Sequence, residues 1–105
     1  MTIGRKLDSN KPLVVKGFMQ QFPKGIAEVS RVSEFGALKY EWGNWRYVDN
    51  GVERYTEALG RHFLADGLDN ESNLLHAAHA AWNAMARLEL MLKELDNDFI
   101  STVNS

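Results

Sequence analysis

All three histidines of the chain, His62, His76 and His79, fall within residues 61–83, and an acidic turn divides them. The stretch reads RHFLADGLDNESNLLHAAHAAWN. Gly67 follows His62 closely and is the residue type that most often ends a helix. Asp69 and Ser72 precede His76, and either can cap the start of a new helix. Helix, short turn, helix is the arrangement these signals dictate, and it carries polar groups from two helices toward one place. A chain this short has few other concentrations of chemistry, so this hairpin constrains the fold more than any other segment.

The size of 105 residues makes one domain, residues 1–105, with a real but thin core. No cysteine is present, so any metal site must use oxygen or imidazole ligands. The absence of cysteine also fits a cytoplasmic location. A net charge of −2 gives no global pull toward nucleic acid. The start, MTIGRKLDSNK, lacks the apolar segment of a signal peptide. No apolar run approaches the roughly 20 residues that span a bilayer, so a membrane partner is not expected.

Residues 1–11 read as a polar arm and residues 96–105 as a frayed tail. Lys11-Pro12 starts the body in an extended conformation. Pro23 suits the first turn of a helix, and the spacing predicts that helix over 24–40. Ile26, Val29, Val32, Gly36, Ala37 and Tyr40 share one broad face, while Phe35 and Leu38 fall nearly opposite. A helix apolar on two sides is buried on two sides, and in so small a chain the second cover is another subunit. Glu34 lies at the edge of the inner face and is the acid best placed to point into a cleft.

Residues 41–51 read as a loop with Trp42, Trp45 and Tyr47 beside Asn44 and Arg46. Its aromatics either stack on a base or sugar, or pin the loop to the body. Asn50 is a candidate N-cap with Glu53 as its capping-box partner, opening a second helix over 51–66. Val52, Tyr55, Leu59 and Phe63 form its core stripe. His62 sits inside that arc, with Asp66 one turn later, while Arg54 and Arg61 point elsewhere. The third helix spans 73–95, with Leu74, Ala77, Ala78, Ala81, Met85, Leu88, Leu92 and Leu95 as its apolar face. His76, His79 and Asn83 form a separate polar stripe at neighbouring helical positions.

The fold class that follows is all-α, a small bundle of three main helices in a homo-oligomer. The first and third helices pack together and the second lies across them. Three chemistries are open for the polar groups. Acids can hold a divalent ion for phosphate chemistry, with imidazoles moving protons near neutral pH. His76, His79 and a carboxylate can ligate zinc or iron, although the spacing lacks the metalloprotease pattern. The imidazoles can instead be hydrogen-bond partners in the interface of a non-catalytic module.

Five ordered segments carry a resemblance: VSEFGALKY at 32–40, GNW at 43–45, YTEALGRH at 55–62, DNES at 69–72, and HAAH at 76–79 followed by Asn83. Together with Lys11-Pro12 they resemble a phage-associated family, the N-terminal domain of dATP/dGTP diphosphohydrolases, similar in character to the all-α MazG-like pyrophosphohydrolases. Leu68 and Asn73 stand where members often carry Glu and Gly. The resemblance implies an oligomeric enzyme that uses Mg²⁺ (or Mn²⁺) to hydrolyse a nucleoside triphosphate, dATP or dGTP, to the monophosphate and pyrophosphate. By position it makes Glu34 and the segment 71–79 the metal-holding counterparts, and helical facing together with the resemblance assigns metal to Glu34 and Glu71 with Asp69, and phosphate contact or proton transfer to His62, His76 and His79. Lys39 and Arg61 would neutralise phosphate charge, and Asn44, Trp45 and Asn83 would read sugar or base.

Overall fold

The computed structural model describes residues 3–7 and 9–95, so the tail read from residue 96 lies outside the described residues. Every regular element among them is helical. A single π-helical turn, Val15–Met19, precedes helix α1 (Pro23–Lys39). A 3₁₀ turn, Asn44–Tyr47, leads to α2 (Gly51–Leu64), and α3 (His76–Glu94) closes the described chain. None of these helices is long and apolar enough to cross a membrane.

Pro23 opens α1 as its ring predicts, because the missing N–H is one that the first turn leaves unpaired anyway. The start of α2 is made differently from the capping box expected of Asn50 and Glu53. Asn50 adopts a left-handed conformation (φ 54°) and its side chain caps nothing. The start of α3 also differs. Asp69 organises the preceding turn rather than the helix, which begins only at His76.

α2 runs antiparallel along α3. Thr56 accepts a 2.7 Å hydrogen bond from Arg87 near one end of the pair, and His62 meets His76 at the other. Gly51 permits the close approach at the first end: a Cβ there would lie 2.7 Å from the Leu90 Cδ1 methyl. The second helix was expected to lie across a pair formed by the other two. Instead α2 and α3 form the larger interface, and α1 rests more lightly on the same face of α3. Trp82 fixes α1 there by donating a 2.7 Å hydrogen bond to Ser33 Oγ.

The polar stripe of α3 therefore faces inward. His79 and Asn83 are buried together with Ala78, Ala80 and Ala86, and Val32 of α1 completes the small set of buried apolar residues. Most of the apolar face expected of α3 lies outside: Met85, Leu88, Leu92 and Leu95 are exposed. The small alanines explain the inversion, since they let two helices approach the stripe closely while the long side chains project outward. Phe63 and Leu38 are likewise exposed rather than packed, as is Tyr40.

Candidate active site

Because α1 and α2 both lean on α3, an open cleft of about 1000 Å³ remains between them. His79, Trp82, Asn83 and Ala86 of α3 line it, with Val32, Phe35 and Gly36 from α1 and Tyr55, Ala58 and His62 from α2. The 3₁₀ turn supplies Asn44, Trp45 and Arg46. At this end three aromatic rings meet edge to face. Trp45, Tyr55 and Trp82 lie with ring centroids 5.7 to 6.3 Å apart. Tyr55 donates a 2.8 Å hydrogen bond to the Trp45 carbonyl, which ties the turn to α2. Burial raises the Tyr55 phenol above its ordinary pKa. The Arg46 guanidinium lies 4.9 Å from the centre of the Trp45 ring.

The other end is built on the hairpin between α2 and α3. The hairpin loop closes on itself through an isolated antiparallel bridge, Leu68 to Leu75, and through the His76 amide, which donates to the Gly67 carbonyl at 2.9 Å. Gly67 (φ 75°) and Asn73 (φ 60°) both take the left-handed conformation that the tight reversal requires. Within the loop, Asp69 Oδ1 accepts hydrogen bonds from the Glu71 amide (3.0 Å), the Ser72 amide (2.9 Å) and the Ser72 hydroxyl (3.2 Å). These donors, the Ser72 amide first, hold the Asp69 carboxyl below its ordinary pKa.

The loop delivers the three histidines to one point. His62 Nδ1 and His76 Nδ1 are 2.9 Å apart, and His62 stacks on His79 with 4.7 Å between centroids and 15° between planes. Phe35 and His79 meet at right angles with 6.2 Å between centroids. His79 Nε2 lies 2.6 Å from Ser72 Oγ. The Ser72 hydroxyl also accepts the Leu74 amide at 3.2 Å. All of these bonds are satisfied together when His79 donates to Oγ and Oγ donates to Asp69. Burial, and next the His79 and His76 rings, lower the pKa of His62. Burial lowers that of His79 as well. Both shifts favour the neutral imidazole.

Each residue singled out from the sequence can now be placed. His62, His79, Lys39, Asn44, Trp45, Arg61, Asn83, Asp69 and Glu71 all line the cleft. His76 stands behind His62, outside the lining, with its Nδ1 3.9 Å from Asp69 Oδ2. Glu34 is not brought to this group. It lies on the exposed side of α1, outside the cleft lining. Asp66 is also exposed, because α2 ends at Leu64 and the one-turn spacing to His62 is lost. Arg54 and Arg61, read as pointing elsewhere, both border the cleft. Ser72, read from the sequence only as a possible cap, Tyr55, read only as core, and Trp82 also have a part in the site. The i, i+3 relation of Trp82 to His79 was the available signal.

The acids do not gather into an all-oxygen set. Lys39 binds Glu71 at 2.5 Å, and this bond raises the pKa of the lysine. Glu34 is not part of the lining, and among the described residues Asp69 converges with the imidazoles of His62 and His76. Mg²⁺ takes one or two carboxylates and fills its other positions with water and substrate phosphate, and of the three acids expected to hold it Asp69 and Glu71 line the cleft.

Fold and site together define an all-α domain in which two helices straddle a third. The cleft between them is aromatic at one end and lined by imidazole and cationic groups at the other. The chain belongs to the family described as dATP/dGTP diphosphohydrolase, N-terminal, whose profile matches residues 3–98. It is 39% identical over 67 residues to the dATP/dGTP diphosphohydrolase of Salmonella phage PMBT28, an alignment covering 60% of this chain and 22% of that relative. The chain thus spans about a fifth of the length of the curated relative it matches. No solved structure matches the chain at a significant level.

Proposed function

We propose that this chain acts in the hydrolysis of a deoxynucleoside triphosphate, dATP or dGTP, between the α and β phosphates, releasing monophosphate and pyrophosphate. The nucleotide enters as its Mg²⁺ or Mn²⁺ complex, so that ion belongs to the substrate. What carries the reading is the polarity of the cleft. Trp45 and Tyr55 offer a stacking surface at one end, and Arg61 and Lys39 stand with His62 and His79 at the other. Along α2, Tyr55 and His62 are separated by roughly 10 Å at 1.5 Å per residue, so one nucleotide can touch both.

In this reading Asn44 and Asn83 meet the sugar or base, and Arg61 neutralises phosphate charge. Lys39 shares its charge with Glu71 and swings to phosphate when substrate enters. The neutral imidazoles contact phosphate or take a proton from the attacking water. The test is an assay of pyrophosphate and monophosphate release with each deoxynucleotide and Mg²⁺. dATP or dGTP should be turned over, and Arg61→Ala should weaken nucleotide binding by about tenfold, the usual scale for one charged hydrogen bond. No release from any nucleotide, together with no heat of binding by calorimetry, would overturn the reading in favour of a non-catalytic module.

A further inference from the structure

The contact between His62 and His76 is unusual in kind. Two Nδ1 atoms face each other at 2.9 Å, and such a pair can share only one proton between two lone pairs. The same closeness lets both nitrogens reach one ion, which an imidazole nitrogen binds at about 2.0–2.1 Å when the ion is zinc. Asp69 supplies a third ligand atom, and the three lie within 4.8 Å of one another.

The surroundings hold this arrangement. Asp69 Oδ1 is occupied by the Glu71 and Ser72 amides and the Ser72 hydroxyl, which leaves Oδ2 turned toward His76. Stacking against His79 fixes the plane of the His62 ring, and Ser72 ties His79 to Asp69. Supports of this type orient ligands and tune affinity by about 10- to 100-fold.

We propose that His62, Asp69 and His76 form a two-histidine, one-carboxylate site for a divalent first-row transition ion. Mixed imidazole and carboxylate donors favour Mn²⁺, Fe²⁺, Co²⁺ or Zn²⁺ over Mg²⁺. His62 and Asp69 both border the cleft, so an ion held there would lie beside it. The site differs from the His76-x-x-His79 pairing suggested by spacing alone, because His79 braces rather than binds. The proposal does not depend on nucleotide turnover.

Protein stripped with chelator is titrated by calorimetry with Mn²⁺, Co²⁺, Zn²⁺ and Mg²⁺, without nucleotide. One transition ion should bind per chain, with Mg²⁺ at least tenfold weaker. Asp69→Asn and His76→Gln should each lower Mn²⁺ affinity tenfold or more, while Ser72→Ala should have a smaller effect. Circular dichroism reports whether each variant is folded. Wild-type protein gives a second, independent readout: Mn²⁺ electron spin echo spectra should show coupling to directly bound imidazole nitrogen. Absence of that coupling, Mg²⁺ binding as tight as Mn²⁺, or binding unchanged in both ligand variants would each overturn the site. These measurements contain no nucleotide, so an inactive protein that binds the ion would sink only the hydrolysis reading.

Discussion

At the scale of single residues, hydroxyl groups hold this small domain together at points where apolar contact is sparse. Ser33 accepts from Trp82 across α1 and α3, and Ser72 joins His79 to Asp69. Tyr55 is the most readily tested. Its phenol is the group that fastens the Trp45 turn, and its ring also packs against Trp45 and Trp82. Tyr55→Phe keeps the ring and removes only the donor. A net hydrogen bond of this kind contributes about 1 kcal/mol, so urea unfolding should show a loss of that size with an unchanged denaturant slope. An unaltered midpoint would mean that packing alone holds the turn. The hydroxyls are hard to read from sequence because serine at 33 or 72 looks like any polar helix or turn residue until its partner, many positions away, is in place.

At the scale of elements, the loop from Gly67 to the start of α3 decides where the chemistry sits. It must reverse direction, expose the Asp69 carboxylate and deliver His76 beside His62, and its two left-handed residues make this possible. Gly67→Ala forces a side chain into φ 75° and should destabilise the protein by about 1 kcal/mol. It should also weaken Mn²⁺ binding measurably, because the strain displaces the loop that carries Asp69. Asn73 occupies the other left-handed position (φ 60°), which glycine adopts without steric cost. Asn73→Gly should therefore be neutral or slightly stabilising, and thermal melts of the two variants should move in different directions or by clearly different amounts. This loop also shows how far sequence reading reached. Pro23 and Gly51 marked the starts of α1 and α2, and the clustered histidines marked the site. The facing of α3 was misread because periodicity finds an apolar stripe without saying what covers it. Glu34 was placed by its helical angle on an assumed inner face, and the angle at which α1 rests on α3 leaves it outside.

At the scale of the whole molecule, the chain is too open for its length. Its Cα radius of gyration is 17.0 Å, against about 13 Å for a compact domain of this size. Leu13, Val14, Val15, Phe18 and Phe22 near the start of the chain are exposed, as are Met85, Leu88, Leu92 and Leu95 on α3. On α3 the exposed residues follow Ala81 at alternating spacings of four and three, the repeat of a helix that pairs along a seam. A two-fold axis along such a seam would set the stripe of one copy against the same stripe of a second, which is the arrangement that the mass in solution tests. The protein should therefore run as a dimer or larger assembly of the 11.9 kDa chain in light scattering, with a melting temperature that rises with concentration. Leu88→Glu combined with Leu92→Glu places charge in the seam and should shift the mass toward one chain. A wild-type protein that stays at 11.9 kDa and melts independently of concentration would exclude self-association. The seam would then await another part of a longer polypeptide, such as the relative of which this chain matches 22%.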